Sequence, residues 1–139
     1  MKMSKKKVNE TSGNRSEEKK QIRLADLTKE EDFILALMNI ISIEEHLAFT
    51  AVKTGKPEYL TILEEVRKLR TRLMKKIVKN TEGELWCISK HLLAGTMRLM
   101  ESSNKYISND TKTAQELTSA AFDLYSLFRF LQKIGHDEK

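Results

Sequence analysis

A chain of 139 residues, 40% apolar and 32% charged, has room for one domain and one hydrophobic core. Its longest nearly apolar run, residues 33–41, is nine residues broken by Asn39. A bilayer needs ~20, and no apolar segment follows the basic N-terminus as in a signal peptide, so a membrane protein is not expected. Cys87 is the only cysteine, which forbids an intrachain disulfide and fits a reducing compartment, and the expected location is cytoplasmic.

The net charge of +5 is unevenly spread. Residues 1–27 carry eight Lys/Arg against four Asp/Glu, and the remainder carries 17 against 16. The first segment has too few large apolar residues to offset the entropy of ordering it, and a disordered basic tail over 1–27 is expected. The folded domain is expected over 28–139. Thr28 with Glu31 has capping-box spacing, which predicts a first helix over about 29–54. Gly55 suits a helix end and Pro57 the first turn of the next helix, predicted over about 57–79. A second capping box, Thr81 with Glu84, opens a helix over about 82–107. After the turn at 108–110 a fourth helix is predicted over about 112–134, with Asp110 and Thr113 as competing starts. Nothing reads as a strand. Short links make neighbouring helices antiparallel, so the expected fold is all-α, an up-down-up-down four-helix bundle.

At 100° per residue the second helix is amphipathic, with Tyr59, Ile62, Leu63, Val66, Leu69, Leu73 and Ile77 on one face. The first and third helices are apolar around more than half of their circumference. Met38 and Phe49 lie far from the first helix's main stripe of Phe33, Leu37, Ile40, Leu47 and Ala51. Trp86, Leu93, Met97 and Met100 form a second stripe on the third helix, and Phe122 and Phe130 point away from the fourth helix's stripe of Leu117, Leu124, Phe128 and Leu131. Surplus apolar surface on a lone bundle predicts a protein partner, a homodimer or another helical protein, meeting Met38, Phe49, Trp86, Met97, Phe122 and Phe130.

Among polar residues, Glu44 sits at the centre of the first helix's apolar face. A carboxylate there needs a counter-charge, and Arg70, on the second helix's apolar face, is the expected buried partner. Cys87 and His91 are one helical turn apart, half of a metal site at most, and they share a stripe with Lys90, Arg98 and Lys105 that disfavours a cation. No metal and no cofactor are expected. The spacing from Arg129 to His136 is that of the all-α HEPN ribonucleases. Seven Arg and three His in this chain produce about half a match by chance alone, and Phe130 stands where the motif often has Asn, so no family is assigned. Di-iron Glu-x-x-His pairs, a Gly-rich phosphate loop and a nucleophile elbow are absent.

Residues 67–79 hold seven Lys/Arg and no acid, and Lys68, Arg72, Lys75, Lys76 and Lys79 with the tail lysines are the residues for a phosphate-binding stripe. It has no interleaved aromatics. The leading expectation is a non-enzymatic, self-associating interaction or scaffold protein. A nucleic-acid-associated protein comes second. A bundle enzyme or metal protein, HEPN-like or built on Glu44, Cys87 and His91, comes third.

Overall fold

The computed structural model describes the backbone over residues 2–81 and 83–135, and side chains over 15–18, 28–81 and 83–135. Four α-helices follow in order among the described residues: α1 (Lys2–Thr54), α2 (Glu58–Met74), α3 (Glu84–Tyr106) and α4 (Thr111–Gly135), with no strand. Compact units form over Met1–Leu35 and Ala36–Lys139. Helical backbone from Lys2 differs from the expected tail, and Thr28 lies inside α1 rather than at its start. The expected disorder rested on too little large apolar surface to offset the entropy of ordering the segment. Propensity acts locally, and Lys, Glu, Gln, Arg, Leu and Ala, with no proline, all favour helical backbone.

Helix ends have local causes. α1 stops at Thr54 because Gly55 takes φ +67° and donates its N–H to the Ala51 carbonyl at 2.9 Å, the left-handed cap that a glycine adopts without strain. α2 ends at Met74, five residues before the expected 79. Lys76 and Ile77 make i→i+3 bonds to Leu73 and Met74 instead, and the turn carries Val78 into a fully buried position. Adjacent β-branched Ile77 and Val78 weaken continuation. α3 begins at Glu84 after Gly83, whose φ is +78°, so the expected opening at Thr81 is displaced. Asp110, not Thr113, caps α4. Its Oδ1 accepts the Thr113 N–H at 3.1 Å and its Oδ2 the Thr113 hydroxyl at 2.6 Å, leaving orphan N–H groups of the first turn partly satisfied.

α3 and α4 pack antiparallel, as four contacts along their length establish. Ser103 meets Ala114 and Thr118, a Cβ on Gly95 would lie 3.0 Å from Leu124, Ser89 meets Gln132, and a Cβ on Gly135 would lie 2.5 Å from Leu85. The buried residues of α3 include Ser89, Thr96 and Ser103, and those of α4 are Ala114, Ala121, Phe128 and Gly135. Both sets repeat every seven residues, the period that keeps one seam facing a neighbouring helix. Small side chains along it let the helices approach closely, and the hydroxyls find partners: Ser103 Oγ lies 2.8 Å from the Ala114 carbonyl and 2.7 Å from Thr118 Oγ1, and Gln132 donates to Ser89 Oγ at 2.8 Å. Buried polar atoms are tolerable only when paired in this way.

The core of α1 is centred on Ile34, Leu37, Met38 and Ile41, all buried, a face rotated from the stripe expected through Phe33, Ile40 and Ala51. A helix apolar on most sides leaves its own centre undetermined until its neighbours choose it. Met38 is fully buried and so leaves the expected partner surface. The stretch Thr28–Thr54 is long and apolar enough to cross a membrane. This corrects the expectation that no segment qualifies, which rested on counting an unbroken run rather than a window. The core helix of a globular protein has the same composition.

Candidate functional site

Glu44 and Glu45, neighbours on α1, project about 100° apart and reach two different helices. Arg70 of α2 donates from Nε to Glu44 Oε2 at 2.9 Å and from Nη2 to Glu44 Oε1 at 3.1 Å. The side chains are 6% and 13% exposed, so this two-bond fork is nearly dehydrated, a geometry in which a charge pair fixes orientation as well as adding energy. Arg98 of α3 donates from Nε to Glu45 Oε2 at 2.5 Å and from Nη1 to Glu101 Oε2 at 3.1 Å, with each of these side chains about one-third exposed. Sequence reasoning brought Glu44 and Arg70 together but placed Arg98 on a stripe with Lys90 and Lys105, without naming Glu45 as its partner. The i+1 position of Glu45 beside Glu44 was the available signal.

The outer surface holds the other expected residues. Phe49 is 63% exposed, Phe122 66% and Phe130 59%. Trp86 and Met97 are half-buried. Phe122 borders an open groove with Ile107, Asn104, Thr111 and Ser119, and Phe49 borders another with His46, Lys53 and Arg98. On α2 only Arg70 and Met74 are buried. Ile62 and Leu69, expected in the core stripe, are 49% and 38% exposed.

The basic residues separate into two groups. Arg67 lies 3.8 Å from Glu64 and Lys68 3.5 Å from Glu65, all exposed, and such surface pairs offset charge while adding little stability. Arg72, Lys75, Lys76 and Lys79 are exposed. The tail lysines Lys5, Lys6 and Lys7 and the motif residue His136 lie outside the residues whose side chains are described. Cys87, His91 and His46 are exposed. Among the described residues no group of three His, Cys, Asp or Glu is placed to hold a metal ion. The Asp110 carboxyl is held below the usual carboxylate range, first by the Thr113 hydroxyl and then by the Thr113 N–H, as expected for a carboxylate that accepts bonds in its charged form.

No family model, curated protein or solved structure matches this chain.

Proposed function

We propose that this chain is a non-enzymatic, self-associating helical protein that acts as an interaction or scaffold module in the cytoplasm, its helices arranged as an up-down-up-down four-helix bundle. The observation that carries this reading is the exposure of aromatic surface. Of five phenylalanines, Phe49, Phe122 and Phe130 are each more than half exposed. Scattered exposed apolar residues are ordinary, but large rings of this exposure on α1 and α4, and an exposed apolar seam on α2, favour burial against protein. Replacing Phe49, Phe122 and Phe130 together by Ser should leave helix content unchanged and shift light-scattering mass toward the monomer. Unchanged association would remove these rings from the interface.

Nucleic-acid association is the second reading, favoured by exposed Arg72, Lys75, Lys76 and Lys79. Charge reversal at Lys68, Arg72 and Lys75 should then weaken binding to many sequences alike and flatten its salt dependence. No measurable DNA or RNA binding at low salt would remove it.

A further inference from the structure

We infer that α2 is a homodimerisation helix, pairing antiparallel with α2 of a second copy of this chain. This inference rests on the self-association reading and adds to the exposed rings Phe49, Phe122 and Phe130 a second apolar surface, on α2. Ile62, Val66, Leu69 and Leu73 are spaced four, three and four residues apart, the a/d spacing of a coiled-coil seam. Ile62 and Leu69 are exposed, Val66 and Leu73 half-buried, and the face that α2 buries runs instead through Arg70 and Met74. The seam is therefore a second apolar face, about 90° from the first.

Charge decides the occupant. The residue before each a position is Glu65 and Arg72, both exposed, and these flank the seam on its solvent side. An antiparallel two-fold centred between residues 67 and 68 sets Ile62 against Leu73 of the second copy and Val66 against Leu69. It also sets Glu65 against Arg72 of the second copy, and Arg72 against Glu65, so both flanking contacts pair opposite charges. The Glu65 to Lys68 contact within the helix is a solvent-exposed 3.5 Å pair and is readily exchanged. A parallel pair would oppose Glu65 to residue 70, and Arg70 is already held by Glu44. The pattern is complementary to itself in one direction only.

The test is sedimentation equilibrium on the intact chain and three variants, with circular dichroism on each. Glu65→Lys and Arg72→Glu each place like charges at both flanking contacts and should weaken self-association about tenfold. The double variant E65K/R72E restores opposite charges and should return to within about threefold of the parent. Mixing the two single variants should give heterodimers tighter than either homodimer. If a single variant loses helix, the double variant still reads the pairing, and Leu69→Gln, at an exposed seam position, should weaken association alone. A parent that associates while all variants associate equally overturns the α2 assignment and leaves self-association standing. A parent that is monomeric throughout overturns both.

Discussion

Replacing Glu44 by Gln removes the counter-charge from a guanidinium whose side chain is 6% exposed, while keeping volume and one acceptor. Of the two bonds at 2.9 and 3.1 Å, one survives as a neutral acceptor and the other meets an amide NH2 facing an Arg N–H. Hydrogen bonds to charged groups contribute about 1.5–3 kcal/mol each. Glu44→Gln should therefore destabilise by about 1–3 kcal/mol, and Glu44→Ala, which also opens a cavity, by about 3–5 kcal/mol. Glu44→Leu combined with Arg70→Met removes both charges and fills the space with apolar atoms. It should recover much of the loss, because a dehydrated pair repays little more than its own desolvation. Urea unfolding followed by circular dichroism measures the parent, Glu44→Leu, Arg70→Met and the double variant, and an unchanged m-value shows that the native state has kept its compactness. The coupling from the double-mutant cycle should exceed about 1 kcal/mol. Additive losses with near-zero coupling would refute the account of a pair that fixes α1 against α2.

Deleting residues 1–27 should leave the melting temperature of the remainder almost unchanged and reduce affinity for polyanions, since the segment adds charge without a periodic apolar face; a fall of many degrees would show that it is packed. Ala121→Leu inserts bulk into the small-residue seam between α3 and α4, where Ala121 is 2% exposed, and should cost about 1–3 kcal/mol in urea unfolding. Asp110 has a folded pKa below its unfolded value, so the stability it contributes is present above the unfolded pKa and is lost as pH falls through the folded one. Asp110→Ala should melt lower than the parent at neutral pH, with the difference shrinking below about pH 4; a constant difference down to pH 2 would contradict the capping role.

The all-helical character and most helix positions were legible in the sequence, because glycine, proline and polar caps act through a few adjacent residues. Gly55, Pro57 and Asp110 mark their turns for this reason. The Glu44 to Arg70 contact was legible because an ionisable group on an apolar face admits few outcomes. Faces were harder. Ranking by large side chains hid the seam of Ser89, Thr96, Ser103, Ala114 and Ala121, although its seven-residue spacing was visible, since small residues contribute little to an apolar count and a great deal to close approach. Met38 was misplaced because its helix is apolar on most sides, and the segments packed against it, not the helix itself, decide which side is covered. The early end of α2 reflects a balance of weak propensities against burial of Val78, a long-range effect that no local pattern announces.

Sedimentation equilibrium of the intact chain through the micromolar range tests self-association most directly. The account predicts an average mass that rises with concentration from the monomer's 16.1 kDa toward twice that value, and a single mass of 16.1 kDa at every concentration would contradict it.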